Sequence, residues 1–109
     1  SPALVCRMAL YRLYWPKGLT EEWKEEYWKY IKKHPDEAAK GLTERGEREI
    51  LSWLAEAKET DSQMLEQMIQ ATAGLGDAQV SAILMDARHK KMGAQSGDKP
   101  KPRVRTFEL

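Results

Sequence analysis

Thr20-Glu21-Glu22-Trp23-Lys24-Glu25-Glu26-Tyr27-Trp28-Lys29-Tyr30-Ile31-Lys32-Lys33 is the stretch that decides the fold class. Trp23, Tyr27, Tyr30 and Ile31 recur at i, i+4, i+7 and i+8, the spacing of one helical face, and Trp28 extends that stripe sideways. Thr20 is placed to accept a hydrogen bond from a free amide of the first turn. Glu21 and Glu22 sit at the positive end of the helix dipole, and Lys32 and Lys33 sit at its negative end. Trp15-Pro16-Lys17-Gly18 precedes the segment and His34-Pro35 follows it, so both boundaries carry residues that disfavour continued helix. Such a helix buries its aromatic stripe only against other elements, and the remaining chain offers helices.

Leu4, Val5, Met8, Leu10, Leu13 and Tyr14 predict a buried helix over residues 3 to 14. Pro35 suits the first position of a short helix ending near Gly41. Thr43 is expected to cap a helix of about four turns with Ile50, Leu51, Trp53, Leu54 and Ala57 inward. Thr60 with Gln63 forms a capping box for a helix burying Met64, Leu65, Met68 and Ile69, which Gly74 stops. Asp77 caps the last helix, with Val80, Ile83, Leu84 and Ala87 inward, until about Met92. The expected fold is therefore all-α, a compact bundle of four or five short helices. Residues 1–92 form the helical domain and 93–109 a disordered basic tail, because Lys99-Pro100-Lys101-Pro102 favours extended backbone. Arg103 to Leu109 alternates by residue type.

The formal net charge of +1 over 109 residues hides sorting. Residues 1–19 carry Arg7, Arg12 and Lys17 with no acid, and residues 86–109 carry a net charge of +4. The two stretches between them, 20–59 and 60–85, are each at −3. A basic end suggests an acidic partner. Cys6 is the single cysteine, which excludes an intrachain disulfide and fits a reducing, cytoplasmic setting. Charged residues interrupt every apolar run before membrane-spanning length, and no signal peptide pattern is present. The chain opens on Ser1-Pro2, which fits a processed product, an expression remnant or a piece of a longer protein.

Gly74-Leu75-Gly76-Asp77-Ala78-Gln79-Val80-Ser81-Ala82-Ile83-Leu84 is the local pattern with possible chemistry, because a glycine turn opening a helix frees amides that can hold phosphate. The segment resembles the helix-hairpin-helix element of DNA-repair and recombination proteins. That resemblance implies phosphate contacts from the amides of Gly74, Gly76 and their neighbours, with charge added by Lys90 and Lys91. Asp77 departs from the pattern by placing a carboxylate at the mouth. The same residues also read as a glycine C-cap followed by an Asp N-cap. A second stretch, Leu42-Thr43-Glu44-Arg45-Gly46-Glu47-Arg48-Glu49-Ile50-Leu51, resembles the opening of LuxR-type and sigma-factor helix-turn-helix domains. It implies a recognition helix from Ala78 exposing Gln79, Ser81, Met85 and Arg88. A solvated amphipathic helix accounts for the same residues.

Nucleic acid is thus one expected partner, held by Gly74, Gly76, Gln79, Arg88, Lys90, Lys91, Lys99, Lys101, Arg103 and Arg105. A protein partner or self-association is the other. Seven of the nine aromatic residues lie between Tyr11 and Tyr30, and they cannot all share one buried face. Trp23 and Tyr27 are expected inward with Ile31, leaving Trp15, Trp28 and Tyr30 as interface anchors. No catalytic site, metal or cofactor is expected. Glu21, Glu22, Glu25 and Glu26 alternate with lysines on a polar face, and Cys6, His34 and His89 are scattered.

Overall fold

The computed structural model describes residues 1–96 of the chain. They form an all-α bundle: α1 (Pro2–Tyr14), α2 (Glu21–Lys33), α3 (Pro35–Glu44), α4 (Arg48–Glu56), α5 (Ser62–Thr72) and α6 (Ala78–Ser96), with a single 3₁₀ turn at Ala73–Leu75. Six α-helices are present among the described residues, where four or five were expected, and the helix after Pro35, expected to end near Gly41, runs through it to Glu44.

The two clearest sequence caps act as expected. Thr20 Oγ1 accepts from the Trp23 amide at 3.2 Å, starting α2. Asp77 Oδ1 accepts from the Gln79 and Val80 amides, both at 3.1 Å, starting α6. Two other caps differ. Thr43 lies inside α3, where its hydroxyl donates to the Ala39 carbonyl at 2.8 Å. Helix α3 ends instead in a Schellman turn: the Glu47 amide donates to the Leu42 carbonyl at 2.9 Å, the Gly46 amide to Thr43 at 3.1 Å, and Gly46 takes a φ of 72°. Leu42-Thr43-Glu44 is therefore a helix C-terminus, and α4 opens only at Arg48. The cap of α5 is Asp61, which accepts from the Met64 amide at 2.8 Å, and Thr60 is buried one residue earlier with no partner for its hydroxyl among the described residues.

Helix α3 sits at the centre, packing most extensively on α5 and also against α1, α4 and α2; α6 closes the bundle against α5 and α4. Ala38 and Ala39, two small residues of α3, are buried in the core. Leu10, Ile31, Leu42, Leu51, Leu54, Leu65, Met68 and Leu84 fill the interior with no exposure. Each such side chain contributes about 1.5–3 kcal/mol relative to leaving it in water. Helix α6 continues past Gly93 to Ser96, beyond the expected end near Met92, and the rest of the expected tail lies outside the described residues.

Candidate interaction surface

Gly76 alone of the Gly74-Leu75-Gly76 turn needs glycine: its φ is 69°, a left-handed backbone that reverses the chain between α5 and α6. Gly74 lies within the 3₁₀ turn. The amides that would face a phosphate at the mouth of α6 are those of Gln79 and Val80, and the Asp77 carboxylate already accepts from both. The Arg48 guanidinium donates to the same carboxylate at 2.8 Å, joining the start of α6 to the start of α4. Its hydrogen bond, those of the two amides and its charge hold the Asp77 carboxyl below its ordinary range. The turn is built as a glycine reversal followed by an Asp cap.

The basic residues of α6 are engaged inside the molecule. Arg88 pairs with Glu66 at 3.1 Å, and Lys90 pairs with Asp86 at 3.1 Å one turn back along α6. The Lys91 ammonium donates to the carbonyls of Ala57 and Thr60 and so ties α6 to the α4–α5 connection. Burial pulls the Lys91 pKa below its ordinary value, against the opposing charges of Asp61, Glu59 and Glu56. Gln79 is exposed. Lys99, Lys101, Arg103 and Arg105 lie outside the described residues.

The aromatic residues divide differently from the sequence expectation. Trp28, expected as an exposed anchor, is 7 % exposed and packs against Trp53 with ring centroids 5.7 Å apart. Trp23, expected inward, is 58 % exposed and leans on Tyr27. The reason is geometric: α2 meets α1 and α3 along the Trp28–Ile31 edge of its broad apolar arc, which turns Trp23 to solvent. Tyr30 is half-buried against the His34 ring. Trp15 is exposed as expected.

Trp15 ends a feature the sequence reading missed. Helix α1 is apolar on two opposite faces. Cys6, Ala9, Leu10 and Leu13 face the core. On the solvent side, Leu4, Met8 and Trp15 are 55 %, 60 % and 58 % exposed, and Val5 lies beside them. Leu4, Met8, Tyr11 and Trp15 follow the 4-3-4 spacing of a coiled-coil seam. The lower half of this ridge is braced. Tyr11 donates its hydroxyl to Glu47, stacks near Trp15 at 5.7 Å, and lies under the guanidinium groups of Arg7 at 5.6 Å and Arg45 at 5.8 Å. Trp15 also meets Tyr14 edge-on at 4.9 Å. A cleft of about 360 Å³ opens next to it, lined by Tyr14, Trp15, Glu47, Arg48 and Ile50. The 4-3-4 spacing was the available signal, but it is overlaid by the equally apolar core face of the same helix.

The other reactive groups do not converge. Cys6 is buried with its thiol on the His34 carbonyl at 3.6 Å, and burial, then the charges of Glu37 and Asp36, push its pKa up to about 11. It is a protonated packing residue at neutral pH. Among the described residues, no three His, Cys, Asp or Glu side chains are placed to hold a metal ion, and no helix is long and apolar enough to cross a membrane. No protein-family model, curated protein or solved structure gives a significant match to this chain.

Proposed function

We propose that this chain is a protein-interaction or assembly module that docks through the outer face of α1. One observation carries the reading: Leu4 and Met8, on the solvent face of a helix whose opposite face fills the core, and Trp15 at the C-cap of that helix are each more than half exposed. Single exposed apolar residues are ordinary, but a contiguous stripe on a small domain marks a contact surface. Met and Trp are also favoured interface residues, the first adaptable and the second a large anchor.

The test is photo-crosslinking from position 8, with position 70 on the exposed side of α5 as control, in cells that contain the natural partners. A protein captured from position 8 is then purified and titrated against the intact chain and Met8→Asp. Capture restricted to position 8, followed by loss of binding in Met8→Asp, supports the reading. Equal capture at both positions, or binding indifferent to Met8→Asp, overturns it.

The alternative is a nucleic-acid-binding accessory module, favoured by the net charge of +4 over residues 86–109. Its support lies in Lys99, Lys101, Arg103 and Arg105, because Arg88, Lys90 and Lys91 are already partnered. Fluorescence anisotropy of a labelled duplex at about 50 and about 200 mM salt separates the readings, since phosphate contacts weaken steeply with salt.

A further inference from the structure

The occupant of the α1 ridge follows from the charges that flank it, an inference that rests on the docking reading above. At 100° per residue, Leu4, Met8 and Tyr11 fall within about 60° of one another on α1, Arg7 and Arg12 lie about 70° to either side of their line, and the exposed Trp15 follows at the C-cap. In heptad terms, Leu4 and Tyr11 take d positions, Met8 and Trp15 take a positions, Arg7 is at g and Arg12 is at e. These flanking positions choose the partner in paired helices. Residues 1–19 contain no carboxylate, and neither Arg7 nor Arg12 forms an ion pair among the described residues. Arg7 lies over the face of the Tyr11 ring and its charge also acts on the Glu47 carboxylate, short of an ion pair, and Arg12 donates weakly to the Lys17 carbonyl at 3.4 Å.

A second copy of α1 is the wrong occupant. In a parallel pairing Arg7 of one copy faces Arg12 of the other, and in an antiparallel pairing each arginine faces its own kind. Like charges at these positions oppose association. We infer that the α1 ridge is built for an amphipathic helix of a different protein, with apolar residues along its seam and Glu or Asp at the flanking positions that meet Arg7 and Arg12. The bidentate fit of guanidinium to carboxylate makes arginine suited to this flanking role.

The experiment titrates the intact protein, by anisotropy, with synthetic three-heptad helical peptides carrying Leu at a and d. One peptide has Glu at e and g, and the other has Lys there. The Glu peptide is expected to bind at least about tenfold more tightly than the Lys peptide. The preference should reverse in Arg7→Glu/Arg12→Glu and disappear with all binding in Met8→Asp. Far-ultraviolet circular dichroism and thermal unfolding confirm that each variant is folded, as expected for changes at solvent-facing positions.

Equal binding of both peptides overturns the charge assignment and leaves the docking reading standing. Failure of both peptides, alongside capture of a protein partner from position 8, overturns this inference alone. Failure of both with no capture overturns the docking reading as well. Two further measurements name the rival occupants: concentration-dependent sedimentation abolished by Met8→Asp identifies a second copy, and cosedimentation with phosphatidylserine vesicles abolished by the same change identifies a lipid surface. Either result overturns the inference.

Discussion

Lys91→Met separates a basic residue that holds the fold from one that waits for a ligand. The ammonium of Lys91 donates to the Ala57 and Thr60 carbonyls, and Thr60 is 1 % exposed, so its carbonyl has little access to water. A hydrogen bond from a charged donor contributes about 1.5–3 kcal/mol net. Two such bonds set an upper bound of about 6 kcal/mol. Lys91 is only partly buried, and removing it also removes the cost of desolvating its charge, which reduces the net loss to about 2 kcal/mol. Methionine keeps most of the apolar stem, so packing against the α4–α5 connection is largely preserved. For a domain of this size the expected fall in Tm is roughly 8–16 °C. Lys90→Met is the control, because Lys90 is exposed and pairs with Asp86 one turn away on the same helix. Urea and thermal unfolding of both variants, followed by circular dichroism, make the comparison. If Lys91→Met unfolds at the temperature and urea concentration of Lys90→Met, Lys91 does not tie α6 to the connection. A binding assay that uses Lys91→Glu as a charge-reversal probe is confounded by the same tie, whereas Lys90→Met removes a charge without touching that tie or setting a second carboxylate beside Asp86.

Glu47 makes stability depend on acid. Burial raises its carboxyl pKa, but hydrogen bonds from Tyr11 and Arg45 and the charges of Arg45 and Arg7 outweigh that and leave it below its ordinary 4.5. Its stabilisation is therefore present above about pH 4.5 and lost as pH falls through the folded value. The urea midpoint gap between the native protein and Glu47→Gln should shrink toward acid, and a gap constant with pH contradicts the assignment. In the glycine turn, Gly76→Ala forces an L residue to a φ of 69° and should cost about 1–2 kcal/mol in urea unfolding. Gly74→Ala meets no atom within 4 Å of the added Cβ and should be neutral or stabilising by up to about 1 kcal/mol. Equal losses at both positions sink the view that Gly76 alone sets the turn. Trp28→Ala should cost about 3–5 kcal/mol because the ring is in the core against Trp53, whereas Trp15→Ala should cost under about 1 kcal/mol. Reversed losses in the same unfolding assay mean that α2 packs by another edge.

The caps at Thr20 and Asp77 were legible because each depends on a few adjacent residues and has no competitor nearby. Thr43 misleads because two local rules compete over five residues: a threonine suits the start of a helix, and a glycine three positions later suits the end of one. The glycine prevails, since α3 reaches Glu44 with Leu42 fully buried and Gly46 reverses the chain. Thr60 and Asp61 are adjacent cap formers, and the carboxylate takes the position, accepting from the Met64 amide at 2.8 Å. At α6, the sequence shows Arg88, Lys90 and Lys91 as a basic run. The carboxylates and carbonyls that occupy them come from Glu66 on α5, Asp86 on α6 and the connection at residues 57–60, mostly through tertiary placement.

The α1 ridge was hidden for a different reason. A helix apolar on all sides is ordinarily one buried on all sides, which is how Leu4, Val5 and Met8 read alongside Leu10 and Leu13. In this bundle α1 packs on α2, α3 and α4 through its Cys6–Leu13 side, and the α3–α4 connection reaches round to Tyr11 through Arg45 and Glu47. Leu4, Met8 and Trp15 are left exposed. Burying Leu4, Met8 and Trp15 against a partner helix would recover the hydrophobic stabilisation that the isolated fold leaves unrealised, at about 25 cal/mol for each Å² of apolar surface removed from water. The flanking arginines cannot supply that energy, because charges at an interface rim contribute mainly to the choice and orientation of the partner. Apolar substitutions on the ridge should therefore change affinity for every partner that fits it, while charge reversal at Arg7 and Arg12 should change which partner fits.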